Sequence, residues 1–413
     1  MKCMIITVGT GRERTDIANA IGLSIKAANP NYIKFLVTEL SEKETLPLII
    51  ENIRSLDIAY EVFKSENEND IRILKEEYSK QIQMLLRKGI NKEDITVDYT
   101  TGTKSMSAAV VMAAIENEIG ALDYIYGKRG KDGRVIPGTE LKSTINPVSI
   151  YAKAFLSDGI NAFNNKAFAS AMEYLDKAKN YTYQDKEFSE NLNCIYKLSL
   201  AYYKWDIFDI DDCFKILDKE LSPDLEILAK LGVKTKVEKN KVFLYNEMSN
   251  PFSEERAIDL YLNAMRRASE RRYDDAIARL YRLSEFLFQR EVAKKGLYIN
   301  KDTDRIDIAK LPDILWQKYQ SKMKGDLLPL GLEGTIELLR DLKEESIKKV
   351  EQELKNLRDI SPIRNKSILA HGFGHVTEDG YKRYLDFIGK LANSLIPKFN
   401  EKIKNLEFPK IRI

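Results

Sequence analysis

Cysteine is nearly absent from this 413-residue chain: Cys3, Cys194 and Cys213 are all there are, an odd number without metal-type spacing. That argues against a disulfide framework and a thiolate zinc site, and for reduced thiols in a cytosolic protein. Histidine is scarcer still, with only His371 and His375. Long hydrophobic runs are missing too. None approaches the roughly 20 residues needed to cross a bilayer, and the opening run stops at Gly9, too short for a signal-peptide core and without a cleavage-type tail. A cytoplasmic location with no membrane contact is expected. Charge of one sign is also lacking, since 66 Lys+Arg against 63 Asp+Glu leave a formal +3. A strongly basic nucleic-acid coat is thereby excluded, so any RNA contact must come from local patches. The length exceeds one ordinary core and implies two or three domains.

What is present first is an alternation of short β-type runs and helical patterns over about the first 145 residues, the mark of a parallel sheet covered on both faces. Strands are expected at Met4–Val8, Ile33–Thr38, Ile58–Phe63, Ile95–Tyr99 and Leu122–Tyr126. Between them the spacing predicts helices over Thr15–Ala28, Glu42–Arg54, a charged stretch through Leu86, and Ser105–Glu118. After the Gly127–Gly133 turn the chain is expected to reverse in a hairpin at Arg134–Pro137. The fold class of this part is a Rossmann-like α/β domain, residues 1–147.

Beyond Asn146-Pro147 helical patterns dominate. Phe168, Ala171, Met172, Leu175 and Ala178 share one helical face, and Tyr273, Ala276, Ile277 and Leu280 another. With the small-residue helix around Ile160–Phe163, the first resembles a hairpin of the tetratricopeptide kind, and the second is a comparable hairpin; about a hundred residues apart is too far for a solenoid array. Lys230–Asn240 reads as a polar loop or linker. Residues 148–250 are thus expected to form a helical insert, and 251–413 an all-α C-terminal domain opened by Ser253 ahead of Glu254 and Glu255.

Both histidines lie in Ser361-Pro-Ile-Arg-Asn-Lys-Ser-Ile-Leu-Ala-His-Gly-Phe-Gly-His375. Ser361 suits an N-cap, Pro362 a first helical position and Gly372 a C-terminal cap. The spacing therefore predicts a short helix with Arg364 and His371 on one face, roughly 10 Å apart along its axis. A histidine at a helix C-terminus is at home with the dipole, whereas an arginine in the first turn opposes it and calls for another reason, such as an anionic ligand. His375, past two glycines, reads as a bystander.

Arg364-Asn365-x5-His371 resembles the R-x4–6-H motif of HEPN ribonucleases, as does its place on a late element of an all-α domain. The resemblance implies a site built across a homodimer, with His371 as general acid or base, Arg364 holding the phosphate and Asn365 orienting either. That chemistry is sound in itself: histidine moves protons near neutral pH and arginine stabilises phosphorane charge. Attack by the ribose 2′-hydroxyl would leave 2′,3′-cyclic phosphate ends. With no carboxylate cluster of metal-ligand spacing nearby, no metal cofactor is expected.

A second constellation, Asp98-Tyr-Thr-Thr-Gly-Thr-Lys104, stands where the fourth strand feeds a helix. It is no Walker A loop, since Thr103 rather than glycine precedes Lys104; nor is Gly9-Thr10-Gly11 a dinucleotide fingerprint, since Arg14 takes the third glycine's place. Lys104 read alone is a solvated lysine at a helix start, and Asp98 a residue capping a turn. Together the two loops resemble the CARF domain. The resemblance places ligand contacts at Thr10 and Gly11 on one side and at Thr101, Gly102, Thr103 and Lys104 on the other. CARF followed by HEPN is similar to the ancillary ribonucleases of type III CRISPR–Cas systems, which implies single-stranded RNA as substrate and cyclic oligoadenylate as activator. The rival readings are a nucleotide-responsive regulator, a scaffold without nuclease activity, and a sensor that degrades its own cyclic ligand.

Overall fold

A computed structural model describes residues 1–11, 13–131, 135–136, 138–181, 185–298, 305–324 and 327–412. It divides into two compact units, residues 1–158 with 174–189, and residues 159–173 with 190–413.

The first unit is built on a six-stranded sheet: β1 (Cys3–Thr7), β2 (Tyr32–Val37), β3 (Ala59–Lys64), β4 (Ile95–Asp98), β5 (Ala121–Tyr126) and β6 (Leu141–Ile145), in spatial order 3-2-1-4-5-6. All pairings are parallel except β5 with β6. Of the expected hairpin, Gly133, Arg134 and Pro137 lie outside the described residues, and the strand that reverses is β6. Strand β1 is buried along its whole length because both faces are covered. Its side chains divide by the period of two: Met4 and Ile6 join Ile21, Ile25 and Ile49, whereas Cys3 and Ile5 join Tyr78, Ile82 and Val110.

The predicted helix over Glu42–Arg54 is in fact two, Glu39–Glu44 and Leu46–Ile53. Thr38 and Ser41 close a capping box on the first, and Pro47 supplies the early-turn proline of the second. Strand order reverses between β1 and β4, so their C-terminal ends open the crevice where doubly wound sheets bind ligands. The loops after these strands are the two that the sequence singled out.

Among the described residues the second unit is helical apart from two three-residue strands, Arg305–Asp307 and Leu327–Pro329. Helices Glu254–Ser269 and Tyr273–Lys294 form a hairpin, with Ser253 accepting a bond from the Arg256 N–H at 3.2 Å as N-cap. Arg271 takes a left-handed conformation (φ 61°) at the reversal. Ala257, Ile258, Ala264, Ile277 and Leu280 are buried in the common core with Tyr384, Ile388 and Leu391 of helix Glu378–Leu395.

Lys230–Asn240 is not a loop: Gly232 (φ 71°) ends one helix, and Lys234–Ser249 is the next. Val237, Asn240 and Leu244 are buried there, while the lysines are half-buried or exposed. Lysine is a good helix former, so polarity alone misjudged the stretch. Among the described residues no helix is long and apolar enough to span a membrane.

Candidate functional site

At the sheet edge the two loops are tied to each other. The Thr7 hydroxyl donates to the Thr101 carbonyl, the Thr101 hydroxyl donates to the Thr7 carbonyl at 2.6 Å, and the Gly9 N–H donates to the Thr101 hydroxyl at 3.3 Å. A Cβ on Gly9 would stand 2.6 Å from the Gly102 nitrogen, so glycine is what lets the backbones meet. Gly102 itself has φ 105° and Gly11 φ 52°. Thr103 caps helix Lys104–Glu116 by accepting from the Met106 N–H at 3.1 Å, and donates to the Glu68 carbonyl at 2.9 Å.

Thr10, Thr101, Gly102 and Thr103 are half-buried, while Gly11 and Lys104 are exposed. Lys104 has no carboxylate partner among the described residues. A free lysine beside a helix N-terminus and a glycine turn is an arrangement suited to phosphate.

Asp98 lies beneath, fully buried, accepting from the Thr100 N–H at 2.8 Å and from the Ser24 hydroxyl. Burial pushes its carboxyl above the ordinary carboxylate range, with those two hydrogen bonds opposing. Asp123 on β5 is buried as well, but is paired to Lys142 at 2.7 Å and accepts from Thr144 at 2.6 Å. Tyr99, Tyr124 and Tyr126 stack in a row beside these loops, with centroid spacings of 5.2 and 6.5 Å. Sequence reasoning missed Thr7, Ser24 and the tyrosine row; the alternation of Tyr124 and Tyr126 on one strand face was the available signal.

The Arg364–His371 segment departs from expectation. Pro362 lies inside helix Glu351–Asn365, and Ser361 donates to the Leu357 carbonyl at 2.7 Å rather than capping anything. Arg364 therefore sits in a last turn, where the helix dipole welcomes a cation, and the dipole argument for an anionic ligand falls away. His371 is not on this helix. The chain turns after Lys366 and folds around its carbonyl, which accepts from the Gly374 N–H at 2.9 Å. A Cβ on Gly372 would fall 2.2 Å from that carbonyl oxygen, so Gly372 serves a close approach within a turn, not a helix cap.

The turn still brings the three candidates together. The His371 N–H donates to the Asn365 carbonyl at 3.3 Å, and Arg364 Nη1 donates to Asn365 Oδ1 at 3.2 Å. Arg364 is half-buried, with its guanidinium 4.3 Å from the Tyr281 ring centroid, whereas Asn365, His371 and His375 are exposed. Tyr384, fully buried, has a hydroxyl without a partner among the described residues, and burial raises it well above the normal phenol range. Neither tyrosine carried a sequence signal, because each reads as an ordinary core aromatic. The end of the turn is anchored by the Val376 N–H, which donates to Asp274 at 3.3 Å. A groove of about 630 Å³ opens beside Asn365, lined by Arg340, Lys355, Glu351 and Pro362 among others. Among the described residues no cluster of three or more His, Cys, Asp or Glu could hold a metal ion.

Residues 253–395, which enclose the Arg364–His371 turn but not the sheet-edge loops, match the family described as the Csm6 HEPN domain. Across the whole chain the fold is similar to that of Enterococcus italicus Csm6 bound to cyclic hexa-2′-fluoro-hexa-dAMP, with TM-score 0.59 and 16% identity over 98% of this chain and 100% of that one. The chain is Csm6-like. Its likeness to Csm6 is one of fold throughout and of sequence over residues 253–395. No curated protein matches it in sequence.

Proposed function

We propose that the chain is an ancillary CRISPR effector: an endoribonuclease on single-stranded RNA, switched on by cyclic oligoadenylate at the sheet-edge loops. The observation that carries this reading is the clustering of Arg364, Asn365 and His371 inside the segment that matches the Csm6 HEPN family. In it, His371 moves the proton of the 2′-hydroxyl or of the leaving oxygen, and Arg364, held against Tyr281, stabilises charge on the phosphate. Asn365 fixes the guanidinium's orientation. The products carry 2′,3′-cyclic phosphate ends, and no metal takes part in the step.

The activator meets Thr10 and Gly11 on one side of the β1/β4 crevice and Thr101, Gly102, Thr103 and Lys104 on the other. Support for that pocket comes from its place at the topological switch point and from the cyclic oligonucleotide bound by the similar Csm6. We also propose a homodimer. Ile368, Leu369 and Phe373, which flank His371, are 66%, 51% and 97% exposed, an apolar set that a second copy would cover. The division into a sensor of residues 1–147, an insert of 148–250 and a nuclease domain of 251–413 belongs to the same proposal, as does a cytoplasmic location.

The test is degradation of labelled single-stranded RNA in excess chelator, with and without tri-, tetra- and hexa-adenylate rings. Cleavage that rises with one ring and leaves cyclic phosphate ends is the expected result. RNA left intact with every ring would refute the nuclease reading.

A further inference from the structure

The second unit holds a cavity of about 820 Å³ that shares no lining residue with the groove at Asn365. Its outer wall is the C-terminal tail, Glu407–Arg412, which is fastened in place. Asn164 bonds both the carbonyl and the N–H of Ile411, at 2.9 and 2.8 Å. The Arg412 N–H donates to the Leu231 carbonyl at 3.1 Å, and buried Asn240 donates to the Glu407 carbonyl at 3.3 Å. The wall is therefore part of the fold rather than a loose end.

The lining is cationic beyond its own needs. Lys236 is paired with Glu407 at 3.0 Å, and Arg266, 6% exposed, is held by Asp206 at 2.8 Å and Asp259 at 3.3 Å. Lys166, Lys404, Lys410 and Arg412 have no carboxylate partner among the described residues. Glu407 is the sole acid in the lining. Burial, and then the neighbouring Arg266 and Lys410, hold the Lys166 ammonium below its ordinary value, while Lys236, Lys166 and Lys410 hold the Glu407 carboxyl below its own. The cations thus act on one another across the same space. Such repulsion is retained at a cost in stability unless an anion relieves it.

The floor is apolar: Leu262, Met265 and Leu406 lie beside Phe408, whose ring stacks on the Arg266 guanidinium at 4.4 Å. The volume falls within the roughly 300–1,000 Å³ usual for small-ligand sites.

We infer that this cavity is a nucleotide site, in which Lys166, Lys404, Lys410 and Arg412 meet phosphate and the Leu262/Met265 floor takes the base or ribose. The nucleotide is either free or one unit of a strand. In both cases the site is separate from the sheet-edge loops and from the Arg364–His371 turn.

Calorimetric titration of the full chain with AMP, with inorganic phosphate and with a short oligodeoxyadenylate tests it, the last lacking the 2′-hydroxyl that cleavage needs. The expected result is saturable binding of AMP or of the strand that weakens at least tenfold in the double variant Lys166→Glu/Lys410→Glu. Tighter binding of AMP identifies a free nucleotide, and tighter binding of the strand a chain; either supports the site. Should the double reversal fail to fold by circular dichroism, Lys166→Gln/Lys410→Gln removes the same charges more gently. No binding of either nucleotide probe, or binding indifferent to the substitutions, overturns the inference. Inorganic phosphate binding as tightly as AMP overturns the assignment to a nucleotide.

Discussion

The sheet-edge loops and the Arg364–His371 turn are both places where polar groups converge, but they are held in opposite ways. At the sheet edge Thr7, Gly9 and Thr101 bond reciprocally, Asp98 is sealed beneath them, and the two loop backbones touch at Gly9 and Gly102. All of these contacts lie within one chain. In the turn, His371 is exposed and bonded through its backbone, while Arg364 leans on one aromatic ring and bonds Asn365. A prebuilt socket spends little free energy on ordering when its ligand arrives. On the proposed nuclease reading, the exposed pair waits for a second body to complete it, which suits a destructive activity under control.

The largest test of this contrast strikes the turn. His371→Ala should slow RNA cleavage by roughly 10²–10⁴-fold, the usual loss when a general acid–base is removed, and Arg364→Ala should do comparable damage. Both variants should bind cyclic oligoadenylate as the parent does. The measurement is single-turnover cleavage on denaturing gels, with calorimetry of the ring alongside. Parental cleavage rates in His371→Ala would remove the turn from consideration.

Next in size is the socket. Lys104→Ala deletes a charge that the other loop groups cannot replace; one charge-assisted hydrogen bond contributes about 1.5–3 kcal/mol. The ring concentration for half-activation should therefore rise by roughly 10–150-fold, while unstimulated cleavage stays at the parental level. If Lys104→Ala responds fully at the parental concentration, the socket is misplaced.

These two regions also differed in how far the sequence revealed them. The strands, the helices between them and the loops after β1 and β4 follow from local alternation and glycine placement, which a short window contains; the spatial order of the strands came only with the structure. The helix at Arg364 did not follow. Ser361-Pro362 mimics a helix start, but tertiary packing carries helix Glu351–Asn365 straight through it, with Leu354, Leu357 and Ile360 buried upstream. Arg364 and His371 were expected on a shared helix face, whereas a turn around the Lys366 carbonyl is what joins them. Tyr281 was illegible because it lies some eighty residues away on another helix, and the Lys-rich stretch near 234 because its buried face is narrow.

Tyr281 gives a finer probe of the looser region. A cation–π contact contributes about 0.5–2 kcal/mol, so Tyr281→Leu should slow cleavage roughly 2–30-fold, with Tyr281→Phe near parental because the ring remains. Equal losses in both variants would show that the hydroxyl, not the ring, positions Arg364.

The smallest effect belongs to the sealed region and shows in stability rather than activity. Burial raises the Asp98 carboxyl above its unfolded value, which is about 3.9 for aspartate. Between the unfolded and folded values the native chain binds the proton that the unfolded chain has released, so stability must fall as pH rises through that window. The contribution is full below about pH 4 and is lost as pH passes the folded value. Asp98→Asn cannot ionise, yet keeps an oxygen to accept from the Thr100 N–H and an amide to donate to Ser24. The variant should match the parent near pH ~4 and exceed it near pH ~8, within the ~1 kcal/mol common for single substitutions. Urea midpoints at the two pH values measure it. A parent no less stable than Asp98→Asn at the higher pH would mean that the carboxylate is charged beneath the loops, held there by Ser24 and Thr100, and that the floor of the socket is an anion rather than a neutral acid.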